Sequence, residues 1–124
     1  MSSSPLKLGI YQHAKNKKLY SVLGIAELGS VTSDSLSIAT AKYSEDPSLE
    51  LCVWLEDGRV VLDHQGLLPK EFDTSIPYVL YQAHYVSEEM GDRVLWARPL
   101  PMFIEEIEYE GKKTPRFILR YSIE

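Results

Sequence analysis

Apolar positions along this chain recur mostly with a period of two, the spacing that lays one face of an extended strand against a core. The clearest instance spans 49–63. Leu49, Leu51, Val53 and Leu55 alternate with Glu50, Cys52, Trp54 and Glu56, and Asp57-Gly58 then forms a two-residue turn whose glycine accepts positive φ. That turn pairs Leu55 with Val60 and Val53 with Leu62 on one face, and Trp54 with Val61 on the other. Upstream, 8–13 predicts a first strand, Asn16-Lys17-Lys18 a turn, and 19–28 a second strand. Both faces of the second strand are largely apolar, as in an interior strand, and Gly24 leaves a gap of the kind found at bends or close approaches. A third strand is expected over 36–43, ended by a segment at 44–48 that contains Pro47.

The second half continues in the same way. A loop is expected over 65–77, with one helical turn at 69–72, then strands over 78–85 and 93–98 around a polar turn at 87–92. In the tract Leu95-Trp96-Ala97-Arg98-Pro99-Leu100-Pro101-Met102-Phe103, alternation puts Trp96 and Arg98 on one face and Leu95 and Ala97 on the other. Pro99 and Pro101 then end the ladder, because neither donates a backbone N–H. A single helical turn at 100–103 leads to a strand through Ile107 and Tyr109. A longer helix over 101–108, with Pro101 at its first position, is the competing reading. Gly111 turns the chain into a last strand over 115–123, with Phe117, Leu119, Tyr121 and Ile123 facing one way. Seven to nine short strands with little helix predict a mostly β chain, and a small barrel or rolled antiparallel sheet closes their edges most simply.

At 124 residues the chain fits one domain, expected over 8–124 behind a loose tail at 1–7 that lacks the apolar stretch of a signal peptide. No apolar run approaches a membrane span. Cys52 is the only cysteine, which excludes an intrachain disulfide and points to a reducing, cytoplasmic setting. The net charge of −5 argues against a dedicated nucleic-acid binder. The basic residues nevertheless cluster, as Lys7, Lys15, Lys17 and Lys18 near one end and Lys112, Lys113, Arg116 and Arg120 near the other.

Several ordered motifs carry a family resemblance. Gly9-Ile10-Tyr11-Gln12-His13-Ala14-Lys15 is followed by Tyr20-Ser21-Val22-Leu23-Gly24-Ile25-Ala26, then by Tyr81, Ala83 and Tyr85, the 95–103 tract, Gly111-Lys112 and Pro115-Arg116-Phe117. In this combination the chain resembles the small bacterial family catalogued as domain of unknown function 1653. The resemblance implies an SH3-like barrel and carries over no catalytic residue and no cofactor. Relative to the family, 44–77 reads as an insertion that includes the Asp57-Gly58 hairpin.

The leading candidate site combines Tyr11 and His13, on one strand face, with Trp96 and Arg98 on another. Were those strands neighbours, an aromatic wall with one cation and one imidazole would suit a planar or anionic ligand. An arginine on an aromatic face contributes about 0.5–2 kcal/mol. By packing alone, Trp96 would instead plug the barrel while Arg98 bonds carbonyls of the proline-rich corner. His13, His64 and His84 show no zinc-ligand spacing, with Asp63-His64 and His84 with Glu88 the best pairs. There is no Gly-x-Ser-x-Gly elbow, no phosphate-cradling glycine loop, and Cys52 falls mid-strand opposite Asp63. The expectation is therefore a non-catalytic module for a small ligand or a protein partner, with no cofactor and no metal. Two alternatives remain: a small enzyme using His13 or His84 as general base, and a barrel that binds single-stranded RNA through its lysines and tyrosines.

Overall fold

The computed structural model describes residues 6–29, 36–56, 58–63, 75–87 and 91–123. Their strands are β1 (Gly9–His13), β2 (Leu19–Leu28), β3 (Leu36–Tyr43), β4 (Asp46–Glu56), β5 (Arg59–Asp63), β6 (Tyr78–Ala83), β7 (Val86–Ser87), β8 (Gly91–Asp92), β9 (Leu95–Pro99), β10 (Glu106–Tyr109), β11 (Lys112–Pro115) and β12 (Phe117–Ser122), with one helical turn, α1 (Leu100–Phe103). Strands β2, β5, β4, β3, β9 and β6 hydrogen-bond in that order, and β6 returns to β2, so six strands close a barrel. Beyond β2, β1 and then β12 extend the sheet outside the ring. The small barrel expected from the strand pattern is present, in its closed rather than its open, rolled form.

The hairpin of β4 and β5 has the register its sequence predicts, with Leu55 opposite Val60, Trp54 opposite Val61 and Val53 opposite Leu62. Cys52 lies opposite Asp63. Because β4 pairs with β3 and β5 with β2, this hairpin supplies two of the barrel's staves rather than a flap laid over it. β4 begins earlier than expected, at Asp46, and the separator foreseen at 44–48 shrinks to a turn at 44–45. Residues 30–35 and 64–74, and with them the helical turn foreseen at 69–72, lie outside the described residues. So do residues 1–5, whereas Leu6 and Ala14 are buried.

Two apolar cores share β6. Tyr78 and Leu80 point into the barrel, among Ala26, Leu28, Ala41, Tyr43, Leu51, Val53, Leu62 and Ala97. Val79, Tyr81 and Ala83 point the other way, into a cluster with Tyr11, Tyr20, Val22, Leu100, Phe103 and Phe117. The strand is thus buried on both faces and paired along both edges, by β2 and β9. A β-bulge lets β2 serve both cores. Val22 lies opposite Tyr81 while Gly24 lies opposite Leu80, so one extra residue, Leu23, is accommodated and the side-chain phase reverses. Tyr20 and Val22 therefore face the outer core and Ala26 and Leu28 the barrel, where unbroken alternation would have put all four on one face. A Cβ at Gly24 would meet nothing within 4 Å, so this glycine marks the bend and not a close approach.

Phe103 anchors α1, stacked on Phe117 with ring centroids 4.2 Å apart and edge-on to Tyr11 at 5.6 Å. Helix does not continue over 101–108. Ile104 N–H closes the turn on the Leu100 carbonyl, and the chain then extends because β10 pairs with β11, setting Glu108 opposite Lys113. Glu110 and Gly111, at φ 53° and 78°, make the tight turn between them. The last strand foreseen over 115–123 is split at Arg116, whose N–H donates to the Glu105 carbonyl while its own carbonyl accepts Ala14 N–H. Phe117 consequently enters the outer core, but Leu119, Tyr121 and Ile123 are exposed.

Gly9 has φ 156°, and a Cβ there would lie 2.0 Å from the Tyr121 carbonyl oxygen on β12. Gly9→Ala should therefore cost at least about 2 kcal/mol, whereas Gly24→Ala should stay within about 1 kcal/mol of the parent. Urea unfolding of the two variants checks this, and equal effects would contradict the pairing of β1 with β12.

Candidate functional site

Alternation in β9 aims Trp96 and Arg98 outward while Ala97 enters the barrel. Across the ladder Trp96 lies opposite Tyr81 and Arg98 opposite Val79, so both sit on the outer face of β6. Ala97, and not the indole, therefore fills the barrel, and Trp96 packs instead against the outer core. Nor does Arg98 serve the proline-rich corner. Its Nε donates to Tyr81 Oη at 3.1 Å, its guanidinium lies 5.6 Å from the Phe117 ring centre, and Nη1 is 3.9 Å from Glu45 Oε2. Only 15% of the Arg98 side chain is exposed, against 37% for Glu45.

His13 reaches the same place from another direction. β1 and β9 are not neighbours in the sheet, yet the curl of β1 and β12 over the outer face brings His13 to a cleft shared with Trp96 and Arg98. The cleft has a volume of about 160 Å³, and Tyr20, Tyr81 and Phe117 also line it. These rings meet edge to face, with Tyr20 5.5 Å from Tyr81 and 5.6 Å from Phe117. Tyr85 closes one side, its hydroxyl 3.1 Å from that of Tyr20, and Lys18 Nζ sits 4.1 Å over the Tyr85 ring. Asn16 and Ser44 complete the lining.

His13 stands edge-on to Phe117 at 5.1 Å, and its Nδ1 accepts the backbone N–H of Lys15 at 3.2 Å and of Asn16 at 3.3 Å. In the neutral ring the proton is therefore on Nε2. Burial, followed by the charges of Arg116, Arg98 and Lys15, pulls its pKa below the ordinary 6.5. Burial also raises the pKa of Tyr20, reinforced by its bond to Tyr85, and raises that of Tyr81 despite Arg98 beside it. At neutral pH the His13 imidazole and the Tyr20 and Tyr81 phenols are thus uncharged, and they share the cleft with the Tyr85 ring and the Arg98 guanidinium.

Of the four candidate residues, His13, Trp96 and Arg98 come together. Tyr11 does not line the cleft. It is buried beneath, against Phe103, and its hydroxyl donates to the Lys7 carbonyl at 2.7 Å. Sequence reasoning missed Tyr20, Tyr81, Tyr85 and Phe117 as lining residues. Their motifs were visible, but the pairing of β2 with β6 and the bend at Arg116 were not. Elsewhere, His84 Nε2 is 2.5 Å from Ser21 Oγ, while His64 and Glu88 lie outside the described residues. Among the described residues no group of three or more His, Cys, Asp or Glu side chains could hold a metal ion. No described helix is long and apolar enough to cross a membrane.

A family model described as Protein of unknown function (DUF1653) matches residues 67–119, the segment that holds the later motifs of the resemblance from Tyr81 to Phe117. It includes Tyr81, Tyr85, Trp96, Arg98 and Phe117, while Tyr11, His13 and Tyr20 fall outside it. No curated protein and no solved structure matches the chain.

Because the native state holds His13 neutral and the unfolded chain titrates it near 6.5, the unfolded state binds more protons between the lowered native value and 6.5. This residue's share of stability is present above pH 6.5 and is lost as pH falls through that window. Imidazole NMR resonances followed against pH should show the His13 midpoint below 6.5. A midpoint at or above 6.5 would contradict both the burial and the cationic surroundings.

Proposed function

We propose that this chain is a non-catalytic binding module that holds a planar, negatively charged ligand in the outer-face cleft. The observation that carries this reading is the convergence of Trp96, Arg98 and His13 on one aromatic-lined recess from strands far apart in sequence. Rings supply stacking area, and Arg98 supplies a charge already desolvated and oriented by Tyr81 and Phe117, so little ordering cost remains when an anion arrives. Glu45, at 3.9 Å, lies at the long end of ion pairing and leaves guanidinium N–H donors for a ligand.

Catalysis fits these groups less well. Burial and three nearby cations lower the pKa of His13, and among the described residues no carboxylate acts on it, so it lacks the orienting partner of an acid–base dyad. The same reading places the module in the cytoplasm, on the support of the lone Cys52, which is a free thiol.

Protein NMR with small aromatic carboxylates, nucleotides and common metabolites tests the proposal. Shifts should cluster on His13, Trp96 and Arg98, and Arg98→Ala, in protein that remains folded, should weaken binding about tenfold or more, since a charged hydrogen-bond partner is lost. Wild-type affinity in a folded Arg98→Ala protein, or shifts confined to another surface, would overturn it.

A further inference from the structure

The cleft is specific enough in size, hydrogen-bonding pattern and charge to indicate what kind of planar anion it takes. At about 160 Å³ it is smaller than the roughly 300–1,000 Å³ of pockets that enclose a drug-sized ligand, so it accommodates one flat ring system with the rest of the molecule at the mouth. Tyr20, Tyr81 and Phe117 are buried and make the floor, while Trp96, Tyr85 and His13 are half-exposed and offer surface to a ring.

The polar groups around this recess are of both kinds. His13 presents Nε2–H, because its Nδ1 is taken by two backbone N–H groups. Ser44 brings a hydroxyl, and the Tyr20 and Tyr85 hydroxyls each donate or accept. Asn16 Oδ1 accepts Lys18 N–H at 2.8 Å, which turns the amide nitrogen of Asn16 to donor duty. A simple aromatic acid has only its carboxylate to use among these groups. A nucleobase has in-plane donors and acceptors as well as two faces for stacking.

Charge supplies the last constraint. In a chain of net charge −5, the surroundings of the cleft hold more cations than acids: Arg98 lines it, Lys18 lies over Tyr85, and Arg116 and Lys15 act on His13, against Glu45 beside Arg98 and Glu105 paired with Arg116. Room for a single base, together with the acidic row Glu105, Glu106, Glu108 and Glu110 next to Arg116, favours one nucleotide over a polynucleotide track. Resting on the binding-module reading above, we infer that the ligand is a mononucleotide, its base in the aromatic recess and its phosphate drawn by Arg98.

Isothermal titration of the full chain with four nucleosides, their 5′-monophosphates, an indole carboxylate and a short single-stranded RNA tests this. At least one monophosphate should bind, with its nucleoside at least tenfold weaker. Arg98→Ala should make the two affinities converge, and Arg98→Lys should restore part of the difference. Binding of the carboxylate with no nucleotide binding would overturn the inference and leave the module reading standing. Tighter binding of the RNA than of any mononucleotide, falling steeply with salt, would overturn it in favour of a polynucleotide. Binding of none of these ligands would remove both the inference and the reading beneath it.

Discussion

The structure depends on enclosing β6. Its residues alternate between two separate cores, and its backbone is hydrogen-bonded along both edges. A six-stranded barrel alone would leave Val79, Tyr81 and Ala83 facing water on its outer wall. Covering them takes β1, β12 and α1, which add little to the barrel but complete the outer core. Burial of that apolar area is the main drive for the arrangement.

Two local devices make the double enclosure possible. The bulge at Leu23 reverses the phase of β2, so that one strand contributes Tyr20 and Val22 outward and Ala26 and Leu28 inward. At Arg116, the ion pair with Glu105 and two backbone bonds turn the chain out of the β10–β11 hairpin and deliver Phe117 onto Phe103. The cleft is what the outer core leaves unfilled at its margin. Three of its tyrosines belong to the packing or its border, and Arg98 is tied down by one of them. Recognition chemistry and core packing therefore use the same side chains, which is how the chain holds a guanidinium in a desolvated position.

Much of the local structure was legible from the sequence because it depends on nearest neighbours. The turn expected at Asp57-Gly58 predicted the pairing of Val53 with Leu62 that β4 and β5 adopt, and alternation correctly put Trp96 and Arg98 on a common face. Pro99 and Pro101 marked the end of β9 and the start of α1. What could not be read depends on distant parts of the chain. Nothing in the period of two reveals that β2 pairs with β6, or that a bulge reverses its phase, since Leu19, Leu23 and Ile25 are as apolar as their neighbours. Tyr11 was indistinguishable from a cleft residue because only the position of Phe103 decides that it lies beneath. The extra helix considered over 101–108 lost to the cross-strand pairing of β10 with β11, a contact invisible to helical spacing.

If β6 is the element on which both cores depend, its backbone should open only when the whole protein unfolds. Native-state hydrogen exchange reads this directly. The amides of Val79 and Tyr81 should exchange with the free energy of global unfolding, while those of the edge strand β12 beyond Phe117 exchange through smaller openings. Exchange of the β6 amides as fast as those of Leu119 and Tyr121 would mean that the strand is not enclosed, and would contradict the two-core account.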